Sequence, residues 1–188
     1  SNPFVVTFAN GGVIDACAFE TKKDFATGIG PQSILLGDLD GDGKADMVVT
    51  NVFDNNLSVL RNTTTGPANI SYAARVNFTT GTRPAAVTMG DLDGDGKLDI
   101  AVANETSNTI SVFRNTSSGV GNISFAAKID FVTGTRPMAV SVGDFDKDGK
   151  TDLVAVNRNS SSISVFRNTS SGVGNINYAT KVDFTTGT

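Results

Sequence analysis

The sequence predicts an all-β protein made of β-propeller blades of four antiparallel strands. About three and a half blades are expected, forming a partial propeller or half of an assembled one. Three observations carry this. An acidic nine-residue loop, Asp38–Asp46, returns as Asp91–Asp99 and Asp144–Asp152, each copy 53 residues after the last. The same interval separates Phe25, Phe78, Phe131 and Phe184, and the pairs Arg61-Asn62, Arg114-Asn115 and Arg167-Asn168. A fixed period of about 50 residues marks a repeat architecture. Each period reads as four short strands, and no window shows helical periodicity with a capping signal.

The middle period shows the elements in order. Val87–Met89 enters the acidic loop and Ile100–Ala103 leaves it. Thr109–Arg114 alternates apolar and polar residues, as a half-buried strand does. A Ser/Gly-rich turn covers Thr116–Asn122, and Ile123–Phe131 is the expected fourth strand. The units are then 29–81, 82–134 and 135–188, each with one acidic loop. Residues 1–28 form a partial blade, with Phe4–Asn10 as a third strand and Phe19–Phe25 as a fourth. Lys23 stands where the other units have Val76, Ile129 and Val182, as a deviating terminal repeat would. Closed propellers usually hold about four to eight blades. The expected partners are therefore the remaining blades or a second copy of the chain, since an open array exposes strand edges and apolar faces.

Composition narrows the function. The net charge is −4, and the three loops hold 12 of the 19 acidic residues. Three divalent cations would move that sum to +2. The acidity therefore points to metal, and nothing resembles a nucleic-acid-binding stripe. No apolar run reaches membrane-spanning length. No leader peptide is present, which means only a mature chain or an excised piece of a longer one. The lone Cys17 aligns with Ile70, Ile123 and Ile176, a packing position, with an intermolecular bridge as the alternative. Asn-x-Ser/Thr sequons such as Asn104, Asn115 and Asn168 are expected by chance in so Asn-, Ser- and Thr-rich a chain. With no His and a single Cys, His- and Cys-based catalysis is excluded.

Each loop crowds four carboxylates into nine residues, which repel unless a cation sits among them. A hard, oxygen-preferring divalent ion fits, and Ca2+ fits best. The candidate ligands are Asp38, Asp40, Asp42 and Asp46; Asp91, Asp93, Asp95 and Asp99; and Asp144, Asp146, Asp148 and Asp152. Lys44, Lys97 and Lys150 at position 7 can each offer a backbone carbonyl. Gly43, Gly96 and Gly149 permit the bend. An EF-hand would need a Glu at position 12, where this chain has Val49, Val102 and Ala155. The loop is thus a connection between strands. The competing reading, an Asx-rich turn without an ion, explains the glycines but not four acids repeated three times.

These loops, with the strands flanking them, resemble the FG-GAP/VCBS repeat of integrin α-like β-propellers. The resemblance runs over nearly the whole chain, from Gly37-Asp38, Gly90-Asp91 and Gly143-Asp144 onward. It implies one Ca2+ per loop, three in all, held by positions 1, 3, 5 and 9 and the position-7 carbonyl. It departs in blade number, seven being usual, and in Lys147, which stands where the other loops have Gly. It also implies an extracellular or cell-surface location.

Two roles stand for the ion: a structural one, and a direct bridge to a ligand. About five protein ligands nearly fill a Ca2+ shell of about six to eight, which favours the structural role. The expected function is a calcium-stabilised binding or adhesion module without catalytic activity. The resemblance implies that its ligand, protein or glycan, meets the face opposite the calcium loops. That face carries Phe53–Asn56, Glu105–Asn108, Arg158–Ser162, Arg83 and Arg136. Arg83 and Arg136 either meet an acidic group of a ligand or bridge neighbouring blades. A lectin is the alternative, weakened by the absence of Trp and by Tyr72 and Tyr178 falling at packing positions. A scaffold repeat of a larger surface protein is another.

Overall fold

The computed structural model describes residues 22–66 and 69–187, with two short strands before them, β1 (Val6–Thr7) and β2 (Val13–Ile14). Three four-stranded antiparallel sheets follow. The first blade holds β3 (Pro31–Gly37), β4 (Asp46–Asn51), β5 (Asn56–Leu60) and β6 (Val76–Thr79). The second holds β7 (Pro84–Gly90), β8 (Asp99–Asn104), β9 (Thr109–Phe113) and β10 (Ile129–Val132). The third holds β11 (Pro137–Gly143), β12 (Asp152–Asn157), β13 (Ser162–Phe166) and β14 (Val182–Thr185). Each sheet is a meander in which neighbours in sequence are neighbours in the sheet. No helix occurs among the described residues. The architecture is all-β and fits propeller-like blades.

Each first strand opens on proline (Pro31, Pro84, Pro137), whose missing N–H is tolerated at a strand's first residue. The register shifts beside each of them. Each second strand lies central in its sheet, and β8 is buried along its whole length. That strand reads Asp-Ile-Ala-Val-Ala-Asn, apolar on both faces because a blade covers each side.

The fourth strand is shorter than the sequence predicts. The ladder spans Ile129–Val132, and of Ile123–Lys128 only Phe125 forms a bridge, with Asn115. Side chains intercept the backbone upstream. Asn115 Oδ1 accepts from Ser117 N at 2.8 Å, and Ser117 Oγ accepts from Ser124 N at 3.2 Å. Such local bonds compete with a continuous ladder. In the partial blade, β1 lies inside the predicted Phe4–Asn10, the rest of which is outside the described residues. Its partner is β2, not the predicted Phe19–Phe25. Residues 19–21 are outside the described set, and Lys22–Phe25 are not a strand. Cys17 also lies outside it.

Two apolar clusters fill the spaces between blades. One face of the first blade (Leu39, Val48, Leu57, Val59) meets Val87, Ile100, Val102 and Phe113 of the second. The equivalent face of the second (Leu92, Ala101, Ile110, Val112) meets Leu153, Ala155, Phe166, Ile176 and Tyr178 of the third. Aromatic pairs repeat beside them. Phe25–Tyr72, Phe78–Phe125 and Phe131–Tyr178 are each edge-to-face with centroids 5.1 Å apart. The two tyrosines are packing residues, as the sequence implies. Phe145, the third blade's counterpart of Leu39 and Leu92, is 52% exposed, whereas those leucines are 2% and 1% exposed.

Left-handed backbone recurs in the acidic turns. At position 4, Gly41 and Gly94 have φ of 77° and 78°, and Lys147 has φ of 64°. Nothing lies within 4 Å of a Cβ built on either glycine. Lys147 therefore carries the conformational penalty of this region without a steric clash.

Two measurements of unfolding free energy in urea check these readings. Leu92→Ala is expected to cost about 2–5 kcal/mol and Phe145→Ala less than about 1 kcal/mol; equal losses would show the second joint to be no better packed than the open face. Lys147→Gly is expected to stabilise the chain by about 1 kcal/mol, because the left-handed penalty of a side chain outweighs the extra freedom of glycine when unfolded. A loss of stability would overturn that reading.

Candidate metal centre

Each acidic loop joins the first and second strands of a blade, and each is solvated first by its own backbone. Asp38 Oδ1 accepts from Gly41 N at 2.8 Å and Asp42 N at 3.1 Å, while Oδ2 accepts from Gly43 N at 2.8 Å. Asp91 repeats all three bonds with Gly94, Asp95 and Gly96. Asp144 accepts from Asp148 N and Gly149 N. The position-1 carboxylate thus winds the chain around itself, and glycine at position 6 allows φ of 80–84°.

The position-9 aspartates clamp the loop from beneath. Asp99 Oδ2 accepts from Leu92 N at 2.9 Å and Oδ1 from Asn115 N at 2.7 Å. Asp46 does the same with Leu39 N and Asn62 N, and Asp152 with Phe145 N and Asn168 N. This gives the repeated Arg-Asn pair a role that sequence spacing alone does not reveal: its Asn amide ends the third strand on the loop's last carboxylate. All three position-9 aspartates are buried. Burial pushes Asp99 up to about 7 against its two amide donors, and the charges of Asp93 and Asp95 add to the rise. Burial likewise raises Asp46.

Carboxylate oxygens converge in every loop. Those of Asp38, Asp40 and Asp42 lie within 4.8 Å of one another, as do those of Asp91, Asp93 and Asp99, and those of Asp144, Asp146 and Asp152. Asp46, Asp95 and Asp148 stand outside these triplets. The donor set is oxygen only, anionic and closely spaced, which suits a hard divalent cation. Such an ion would offset both the mutual repulsion and the cost of the buried acid. The residues present therefore fit a hard divalent cation such as Ca2+, which the converging aspartates of each loop would hold.

The position-7 lysines do more than leave a carbonyl available. Lys44 N and Lys97 N donate to Asp42 Oδ1 and Asp95 Oδ1. Their ammonium groups lie 3.0 Å from Asp42 Oδ2 and 3.7 Å from Asp95 Oδ2. Lys44 holds the Asp42 carboxyl below its ordinary range. Lys150 N donates to Asp148 Oδ1, but its ammonium reaches Ser170 O at 2.8 Å.

The following blade also touches the loop. Asp40 Oδ2 accepts from Gly121 N at 2.7 Å and Asp93 Oδ2 from Gly174 N at 2.8 Å. Asn115 Nδ2 donates to Leu39 O and Asn168 Nδ2 to Leu92 O, both at 2.9 Å. These donors stand 76 or 81 residues from their acceptors, so no local motif signals them. The 53-residue spacing of Asn and Gly was the only available hint.

At the opposite ends of the strands, Arg83 and Arg136 converge on one acid. Arg83 Nε donates to Glu105 Oε2 at 3.2 Å, and Arg136 Nη2 bonds Glu105 Oε1. Arg136 foremost, then Arg83, holds the Glu105 carboxyl below its ordinary range. Arg136 thereby bridges the second and third blades. The Arg83 guanidinium also lies 5.9 Å from the Phe53 ring centroid.

No curated protein gives a significant match to the chain. A crystal structure of a functionally unknown protein from Desulfotomaculum acetoxidans DSM 771 is similar, with TM-score 0.52 and 20% identity. The match covers 97% of this chain and 54% of that one, so this chain spans about half its neighbour's length. At this identity the likeness concerns the fold alone. The FG-GAP-like repeat model matches residues 38–102 and 92–155, and the FG-GAP repeat model matches 137–177. With its acidic loops and four-stranded sheets both in place, the chain belongs to the FG-GAP-like repeat family.

Proposed function

We propose that the chain is a calcium-stabilised, non-catalytic module for binding or adhesion, of the propeller type and working outside the cell. The observation that carries this is a convergent aspartate triplet at each of three equivalent turns. FG-GAP repeats are typical of extracellular or surface proteins. Calcium is abundant outside cells, where even millimolar sites fill. Among the described residues no helix is long and apolar enough to cross a membrane. The chain contains no His, and the loop acids already accept backbone amides, which leaves them suited to holding an ion.

The ligand-binding face lies opposite the loops. Phe53 is 67% exposed there. The side chains of Arg83 and Arg136 stay 44% and 40% exposed while paired with Glu105, so guanidinium edges remain open to an acidic group. Retention on immobilised acidic peptides and glycans checks this. Arg83→Ala with Arg136→Ala should abolish retention, and unchanged retention would remove both residues from the binding surface.

Calcium itself is checked by calorimetry and by melting with and without chelator. Each independent site at 100-fold its dissociation constant contributes about 2.7 kcal/mol to stability. The melting temperature should therefore fall sharply on chelation and recover with added calcium. Asp38→Asn, Asp91→Asn and Asp144→Asn combined should remove that response. Absence of heat at saturating calcium would overturn the proposal.

A further inference from the structure

We infer that in the first two blades the cation loop and the joint to the next blade form one thermodynamic unit, with Asn115, Asn168, Gly121 and Gly174 as its positioning residues, whereas among the described residues the third loop meets no such joint. The inference rests on the calcium reading above and deepens it.

The geometry supplies the coupling. At position 3, Asp40 divides its two oxygens. Oδ1 accepts from Asp42 N within the loop, and Oδ2 accepts from Gly121 N across the joint. Asp93 repeats this with Asp95 N and Gly174 N. The rotation of a shared carboxylate cannot be set by one partner alone. A docked blade fixes it before an ion arrives, and an ion that fixes it presents Oδ2 to the neighbouring amide. One residue earlier, Asn115 Nδ2 holds Leu39 O and Asn168 Nδ2 holds Leu92 O. The loop main chain is therefore pinned on both sides of the joint. Pre-ordered ligands cost less to immobilise on binding. By linkage, whatever the docked blade adds to ion affinity, the ion adds to blade docking.

The third loop has the internal half of this arrangement. Asp146 Oδ1 accepts from Asp148 N at 3.2 Å. No amide of another blade meets its second oxygen among the described residues. Asp146 is exposed, whereas Asp40 and Asp93 are each 4% exposed. Its carboxylate is held by one loop amide and otherwise faces water. In this 188-residue chain the first two sites are therefore expected to bind more tightly than the third.

Calcium titration of the full chain, followed by calorimetry and by amide NMR, tests this. Gly43, Gly96 and Gly149 report the three loops, and Gly121 and Gly174 report the joints. The expected result is that Gly121 and Gly174 shift together with Gly43 and Gly96, and that Gly149 titrates at about tenfold or more higher calcium. Asn115→Ala should weaken the first site about tenfold, the loss of one cross-joint hydrogen bond. Asn122→Ala is the control, because it neighbours Gly121 but its Nδ2 donates to Ser118 Oγ within its own turn; it should change the first site less than about threefold. Three equal affinities in the unaltered chain, or silent Gly121 and Gly174 amides while the loop glycines move, would overturn the coupling and leave the calcium reading intact. The comparison of sites in the unaltered chain needs no variant to fold. No response at any loop glycine would overturn both.

Discussion

A carboxylate placed among other carboxylates persists as an anion only while donors or a cation face its oxygens. This constraint shapes the molecule. In each acidic turn the nearest donors are the turn's own amides, and the chain curls until three of them reach the oxygens of Asp38 or Asp91. That curl requires left-handed backbone at positions 4 and 6. It also fixes where the second strand begins, so Gly37 pairs with Asp46 and Gly90 with Asp99. Strand register thus follows from charge solvation in the loop as well as from the apolar pattern.

The sequence made the strands and loops legible because both depend on neighbours in the chain. Thr109–Phe113 alternates, and Asp99–Asn104 is continuously apolar between its polar ends, and both are strands at those positions. The acidic loop announced its own chemistry. Ile123–Lys128 is not a strand, since its apolar residues serve the interblade core while the Ser117 hydroxyl takes the Ser124 amide. The role of the Arg-Asn pair was illegible for a different reason. Its acceptors are loop groups in its own blade and the carbonyl of a residue 76 positions earlier, which no local pattern encodes. The lysines at position 7 offer carbonyls by their place in the turn, and the charge of Lys44 also counters Asp42.

Beneath the surface, each blade carries a polar thread through its apolar sheet. Asn104 Nδ2 donates to Thr109 Oγ1 and Ser111 Oγ, and Ser111 Oγ donates to Asp130 Oδ1. Asn51, Ser58 and Asn77 form the counterpart in the first blade, and Asn157, Ser164 and Asp183 in the third. Buried polar groups of this kind demand partners at set positions. They discriminate against a slipped register, in which each would lose its mate and every side chain would change face.

The middle blade shares both broad faces with neighbours, so damage there is felt twice. In a linear array, stability is the sum of each unit's own worth and its nearest-neighbour terms. A fault in the second sheet subtracts from both described boundaries. Among the described blades, a change in the second sheet is therefore felt at both joints, even though the units are near copies of one another.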